Sequence, residues 1–173
     1  RQRLTVSEIV DALEKFIYRA AEINPKLRLL FTVSPVRHTA DGLAENSLSK
    51  ATLRLAVDEI INEFSNADYF PAYEIVTDDL RDYRFYADDL VHPSSQAIEY
   101  IWEHFVQSAL SDSAKQTLDK VVKIVAAAAH RPFNPHSSEY HKFCQRNLEQ
   151  AKALSMIDFS GECAIFERFF EKS

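Results

Sequence analysis

A nearly continuous apolar run at residues 27–33 restricts the folds open to this chain more than any other segment. Its sequence is LRLLFTV, and Ser34–Pro35 ends it. An apolar run of this length, without alternating polar positions, is typical of a strand covered on both faces, as in parallel sheets. The run therefore predicts a buried strand of a parallel sheet and an α/β fold.

The segments around this run predict a strand–helix–strand unit. A capping box of the form T-x-x-E at Thr5–Glu8 begins an amphipathic helix that ends at Asn24–Pro25. A polar loop at residues 37–46 follows the run, and a second amphipathic helix is predicted over residues 49–64. Residues 68–76 predict a shorter strand, although Pro71 removes one hydrogen-bond donor from it.

The rest of the chain predicts mostly helix. A charged, aromatic-rich loop at residues 77–92 precedes a helix after Pro93, and three more helical patterns lie near residues 112–129, 138–154 and 161–170. We interpret residues 1–173 as part of one domain, with a sheet-forming part at 1–110 and a helical extension at 111–173. A parallel sheet of only two strands, residues 27–33 and one partner, is rarely stable by itself. We therefore expect the remaining strands to precede Arg1, and the incomplete sheet edge to permit self-association.

Composition and charge exclude several classes of function. The two glycines, Gly42 and Gly161, are too few for a glycine-rich dinucleotide or phosphate loop. A net charge of −6 predicts binding neither to nucleic acid nor to an anionic membrane. The longest apolar stretch, residues 121–129, is interrupted by Lys123 and is too short to span a bilayer.

The cysteines indicate a compartment rather than a site. Cys144 and Cys163 form no C-x-x-C motif, and we expect free thiols rather than a disulfide. A cytoplasmic location follows as the expectation, with any signal peptide lying before Arg1.

Asp89 and His92 form the sharpest local signal, a D-x-x-H in the loop before the helix that follows Pro93. A carboxylate three residues before an imidazole can accept its Nδ1–H, which fixes the tautomer and leaves Nε2 as a general base. The alternative is a surface aspartate and an unrelated loop histidine.

Three residues after the buried run are further candidates. Ser34 lies at the carboxyl end of the strand, but Pro35 offers no N–H for an oxyanion hole, which favours a turn serine over a nucleophile. Arg37 and His38 follow at the same sheet end and are predicted to bind substrate. Arg37 has an alternative role, an ion pair with Asp41 or Glu45.

Two further clusters have structural alternatives. His130, His136 and His141 are six and five residues apart, which matches no zinc motif, so loop structure is favoured and no metal site is predicted. The aromatic group Tyr73, Tyr83, Phe85 and Tyr86 fits either a stacking platform for sugars or core packing.

A set of short motifs, in order along nearly the whole chain, resembles the GSCFA family. They are TVSPVRH at 32–38, Glu45–Asn46 with SKA at 49–51, FPAYEI at 70–75, LRDYRFY at 80–86, DDLVHPS at 88–94 and HRPF at 130–133.

The resemblance implies a bacterial domain similar to SGNH hydrolases, with a flavodoxin-like three-layer sandwich and additional C-terminal helices. By that analogy Asp89 is the orienting acid and His92 the base. The G-S-C-F-A segment with its presumed serine is not in this sequence, so the chain looks like the C-terminal part of the domain, inactive by itself.

The function expected from the resemblance is hydrolysis of an ester by Ser-His-Asp chemistry. The wider superfamily suggests a small-molecule or carbohydrate acyl ester as substrate, and the chemistry needs no metal or organic cofactor. The alternative is a non-catalytic binding or structural module on an SGNH-like scaffold.

Overall fold

Helix α1, Val6–Ile23, begins at the capping box found in the sequence. In the computed structural model, which describes residues 3–169, the Thr5 hydroxyl accepts the backbone N–H of Glu8 at 3.3 Å. The Glu8 carboxylate accepts the backbone N–H of Thr5 at 2.8 Å. These two bonds satisfy backbone N–H groups at the helix N-terminus that have no partner within the helix. The helix ends at Asn24, so both of its predicted ends are confirmed.

The sheet consists, over the described residues, of two parallel strands joined by one helix. Strand β1, Leu29–Phe31, pairs with β2, Ala67–Tyr69, so that Leu29 lies opposite Ala67 and Phe31 opposite Tyr69. Helix α2, Leu43–Glu63, connects them. The predicted strand–helix–strand unit is therefore present, and the combination of helices with a small parallel sheet is compatible with the α/β class.

Both strands are shorter than the sequence predicts. The strand expected at residues 27–33 is paired only at Leu29–Phe31. The strand expected at residues 68–76 ends at Tyr69, because Pro71 lacks an N–H and the chain turns there into a short helix, α3, Ala72–Glu74. A wider, π-type helical turn, Ile75–Leu80, follows.

Helix α2 begins earlier than predicted, within the expected polar loop. Its cap is Gly42, whose φ of +85° lies in the left-handed region that glycine adopts readily. Residues 43–48 are therefore helical, and the predicted start at residue 49 was wrong.

One face of the sheet is covered and the other is not. Leu29 and Phe31 pack against a core from α1, α2 and β2, formed by Val10, Ile17, Ala56, Ile60 and Ala67. Leu30 points to the opposite face, as alternate strand residues do. Leu30 is 45% exposed. The expectation that both faces of this strand are covered is therefore wrong at Leu30.

The chain returns to helix after a turn at Tyr83–Phe85. Helix α4, Ser95–Ala109, begins where the sequence places it, since the Ser94 hydroxyl accepts the backbone N–H of Ala97. Its Phe105 ring packs edge-to-face on Phe70, with 5.3 Å between centroids. Phe105 thereby joins the core that follows β2.

The described residues form two units, one ending at Ser108 and the other beginning at Ala109. The second contains α5, Asp112–Ala129, α6, Ser138–Ala153, and α7, Ser160–Glu167. Their buried core is Ile124, Tyr140, Cys144, Ala151, Phe159 and Phe166. The three predicted helices are confirmed, although the expected last residue, Phe170, lies outside the described residues. That residues 1–110 and 111–173 belong to one domain stays a prediction.

Membrane crossing requires a long, apolar helix. Within residues 3–169, no helix meets both conditions.

Candidate active site

The site is built on a tight hairpin at residues 86–93, which precedes α4. Tyr86 and Pro93 form an antiparallel bridge at its base. Inside the bridge, Ala87 donates its N–H to the His92 carbonyl at 2.8 Å, and Leu90 donates to the Ala87 carbonyl at 2.9 Å. These bonds bring residues 89 and 92 onto one short turn.

Asp89 and His92 are hydrogen-bonded on this hairpin. His92 Nδ1 lies 2.7 Å from Asp89 Oδ2, and both side chains are at least half exposed. Asp89 Oδ1 accepts the backbone N–H groups of Val91 at 2.8 Å and His92 at 3.0 Å. The hydrogen bond expected from the D-x-x-H spacing is therefore present, while the catalytic role of the two residues stays a prediction.

Hydrogen bonding favours the ionised form of Asp89. The bond from the His92 ring, followed by the two backbone N–H groups, lowers the pKa of Asp89 to about 2. Asp89 is therefore ionised at neutral pH and can only accept hydrogen bonds. Since the carboxylate has no proton to give, the proton between them belongs to His92 Nδ1.

Leu90, between the two residues, has an unusual backbone conformation. Its φ of +56° lies in the left-handed region, which a branched apolar residue rarely adopts. The conformation turns the chain so that the N–H groups of Val91 and His92 both face Asp89 Oδ1. The geometry of the pair thus depends on a strained residue.

Arg37 joins the hairpin to the segment after β1. Its guanidinium donates to the Leu90 carbonyl at 3.2 Å, and its backbone N–H donates to the Val91 carbonyl at 3.1 Å. The same guanidinium lies 3.8 Å from the ring centroid of Tyr86 and 5.4 Å from that of Tyr83. The sequence predicted Arg37 at the carboxyl end of the sheet, but its contacts with the hairpin were not predicted.

The tyrosine rings of this loop contact Arg37 and each other. Tyr83 is exposed and lies 6.5 Å from the Tyr86 ring. Burial is the largest cause that raises the pKa of Tyr73, and the nearby Arg37 charge opposes it. The aromatic group therefore fits neither prediction fully, because the Arg37 guanidinium stacks on the Tyr86 ring.

His38 is exposed and faces a cavity of about 860 Å³. Its backbone N–H donates to Asn46 Oδ1 at 2.8 Å, which fixes the segment after Arg37. The apolar wall of the cavity comes from Leu4, Ile9, Ala12, Leu13 and Leu53, and polar atoms come from Arg3, Asp41, Glu45, Asn46, Ser49 and Thr52. Glu45 pairs with Arg3 at 2.9 Å rather than with Arg37.

Ser34 has the contacts of a turn residue. Its hydroxyl accepts the backbone N–H of Val36 at 3.2 Å, which supports the interpretation as a turn serine. The predicted position at the strand end was wrong, because β1 ends three residues earlier, at Phe31. The Ser34 carbonyl accepts a hydrogen bond from the ammonium group of Lys50 at 2.6 Å.

Lys50 is 3% exposed, and burial lowers its pKa. The sequence carries a signal for the burial of Lys50, because Lys50 lies three residues before Leu53 and seven before Val57, on the apolar face of α2.

His130 lies beside two aromatic rings of the second unit. The His130 ring lies 5.7 Å from Phe143 and 6.2 Å from Tyr140, centroid to centroid. Over the part of the chain that the structure describes, no three His, Cys, Asp or Glu side chains are arranged to hold a metal ion. Cys144 and Cys163 are free thiols, as expected, and burial raises the pKa of Cys144.

Comparison with known families gives two matches. The model of the GSCFA family matches residues 1–105, which include the 86–93 hairpin, Arg37 and His38. A second model, described as the C-terminal domain of GSCFA domain proteins, matches residues 121–172. No curated protein and no solved structure matches the chain.

Proposed function

Because the chain belongs to the GSCFA family, we propose that it supplies the acid and base residues of an SGNH-like hydrolase that cleaves an ester. Family membership was expected from the sequence and is confirmed; the activity is our proposal. The observation that carries it is the 2.7 Å hydrogen bond between His92 Nδ1 and Asp89 Oδ2. With Nδ1 donating to the carboxylate, Nε2 has a lone pair to accept a proton from an alcohol.

In the proposed mechanism, His92 is the general base and then the general acid. Its Nε2 takes the proton of a serine hydroxyl as the serine oxygen attacks the ester carbonyl, and later gives that proton to the leaving alcohol. Asp89, ionised throughout, orients the ring and stabilises the imidazolium that forms between these steps. We place the serine and the oxyanion-hole groups in a segment before Arg1, where the family resemblance locates the G-S-C-F-A motif.

The flavodoxin-like form of the fold belongs to the same proposal. Leu29 and Phe31 use their backbone groups on the β2 side, since Leu29 donates to Asn66 and Phe31 accepts from Phe70. The backbone N–H and carbonyl of Leu30 therefore face away from β2. A third parallel strand at that edge would continue the sheet, and a layer on the exposed Leu30 face would complete a three-layer sandwich.

The proposed substrate is an acyl ester, with a carbohydrate ester as the class suggested by the wider superfamily. His38 supports this choice of site, because its segment is bonded to the hairpin through Arg37 and it opens on the cavity of about 860 Å³. We propose that His38 contacts the substrate there. Metal ions and organic cofactors have no part in the proposed reaction.

The test uses the full-length protein, with acetylated sugars and aryl esters as substrates. We expect turnover, and we expect His92→Ala to lower kcat by about 10³-fold or more, since the members of a triad act as a unit. Asp89→Asn should cost a similar or smaller factor. The matched control is His136→Ala, which removes an exposed histidine of the second unit and should leave turnover unchanged.

A non-catalytic binding or structural module is the second candidate, and one observation favours it. Asp89 Oδ1 already accepts two backbone N–H groups, so the carboxylate has a use in the hairpin that needs no reaction. Wild-type turnover in the His92→Ala protein, or no turnover by the wild type on any ester of the panel, would put this candidate first.

A further inference from the structure

We propose that Arg37 is a positioning residue, which holds the 86–93 hairpin in the conformation that lets Asp89 orient His92. The inference rests on the proposed function of the Asp89–His92 pair. It assigns Arg37 a role through the hairpin instead of a direct contact with substrate.

The first support is that Arg37 binds two consecutive carbonyls between the two site residues. The guanidinium donates to Leu90 and the backbone N–H donates to Val91. Asp89 and His92 directly flank these two residues. A displacement of the Leu90–Val91 backbone would therefore change the distance between the carboxylate and the imidazole.

The second support is the backbone strain at Leu90. Its left-handed conformation is unfavourable for a branched side chain, so surrounding contacts must maintain it. Leu90 is 48% exposed, so it is only partly packed. Hydrogen bonds also maintain this conformation. Within the hairpin, Leu90 N–H donates to the Ala87 carbonyl, and the N–H groups of Val91 and His92 donate to Asp89 Oδ1. From outside the hairpin, Arg37 donates to the Leu90 and Val91 carbonyls.

The third support is the stacking on Tyr86. This ring belongs to the base of the hairpin, while Leu90 lies near its tip, and the guanidinium contacts both. A planar guanidinium can stack on a ring and donate in its own plane at the same time, which a lysine ammonium cannot do as well. Arg37 thus fixes the tip of the hairpin relative to its base.

The experiment compares Arg37→Gln and Arg37→Lys with the wild type in the full-length protein. Nitrogen-15 NMR of labelled histidine, with the His92 signals assigned by their loss in His92→Ala, reports which ring nitrogen carries the proton. We expect one tautomer, protonated on Nδ1, in the wild type and a mixture in Arg37→Gln. Arg37→Lys should be intermediate, because lysine retains a donor for the Leu90 carbonyl.

The matched control is Arg84→Gln. Arg84 belongs to the same loop, pairs with Asp82 at 3.6 Å and lies 5.0 Å from the Phe85 ring, so it shares the chemistry of Arg37 but has other partners. We expect its His92 spectrum to match that of the wild type. Thermal unfolding of each variant establishes that it is folded under the conditions of the spectrum.

Kinetics provide the second measurement. We expect Arg37→Gln to lower kcat by roughly 10- to 100-fold, as small misplacements of catalytic groups do, with KM within twofold of the wild type. A rise in KM with unchanged kcat and an unchanged His92 tautomer would overturn the inference in favour of direct substrate binding. If the wild type has no esterase activity but Arg37→Gln changes the tautomer, the positioning role stands and the proposed function fails.

Discussion

Asp89 uses its two carboxylate oxygens on different partners. Oδ2 binds the His92 ring, and Oδ1 binds the backbone of Val91 and His92. One residue therefore shapes the turn and orients the imidazole. The same carboxylate therefore holds His92 at its backbone N–H and at ring Nδ1.

The lowered pKa of Asp89 leads to a prediction for its titration. Carbon-13 NMR of the side-chain carboxyls should give a midpoint for Asp89 of about 2, and His92→Ala should raise this midpoint, because the His92 ring is the largest cause of the lowering. Since the folded pKa is below the unfolded value, the stabilisation is present above about pH 4 and is lost as the pH falls through 2.

Asp158 is an internal control in the same spectra. Its pKa is lowered by the backbone N–H of Ser160, so its midpoint should stay low in His92→Ala. An Asp89 midpoint that does not change on loss of the ring would contradict the assigned cause.

Residue-level prediction from the sequence succeeded where the partners are close along the chain. The Asp89–His92 bond and the turn role of Ser34 involve residues two or three positions apart, and both were predicted. The contact of Arg37 with Leu90 spans 53 positions and went unpredicted. The sequence contains many groups with which an arginine could pair at long range, and only the tertiary fold determines which of them Arg37 contacts.

At the scale of elements, helices were predicted better than strands. Helix α1 has local signals at both ends, the Thr5–Glu8 capping box and Asn24–Pro25, and its bounds were correct. A strand forms only where a neighbouring strand pairs with it. Residues 27, 28, 32 and 33 were predicted as strand, but they have no paired residue in the described sheet. The start of α2 at Leu43 was missed because its cap, Gly42, has no side chain to signal it.

The packing of α1 against α2 brings two carboxylates together, and this leads to a second pH prediction. Partial burial, and then the nearby Glu63, raise the pKa of Glu14. A raised folded pKa contributes stability at low pH that is lost as the pH rises through it. Glu14→Gln should therefore raise the Tm at pH 7, and this gain should shrink toward zero near pH 4.

Thermal unfolding between pH 4 and pH 8 measures this effect. Glu59→Gln is the control, because Glu59 is exposed on α2 and its replacement makes the same change in net charge. A gain in Tm for Glu14→Gln that is equal at every pH, or equal to that of the control, would count against repulsion between Glu14 and Glu63.

At the scale of the whole molecule, the two units have separate buried clusters. The cluster of Val10, Ile17 and Ile60 belongs to the unit that ends at Ser108, and that of Ile124, Cys144 and Phe166 to the unit that begins at Ala109. The family comparisons also match the two regions with different models. We therefore expect their stabilities to be separable.

Phe166→Ala tests this expectation. Phe166 is fully buried, and truncating a buried phenylalanine typically costs about 3–5 kcal/mol. We expect amide hydrogen exchange to accelerate throughout α5, α6 and α7 and to stay unchanged in α1 and α2. Phe133→Ala, at a fully exposed position, should change neither. Faster exchange in both units would show that they unfold together.

The shortness of the 86–93 hairpin also determines when its contacts can form during folding. The Asp89–His92 contact closes a loop of three residues, and small hairpins form within about 1–10 μs. The Arg37–Leu90 contact closes a loop of 53 residues, which costs more chain entropy, and this loop contains α2 and β2. We therefore expect the aspartate and histidine to meet early, in a chain that is still largely unfolded. The arginine contact then marks the moment at which this local pair is fixed to the sheet.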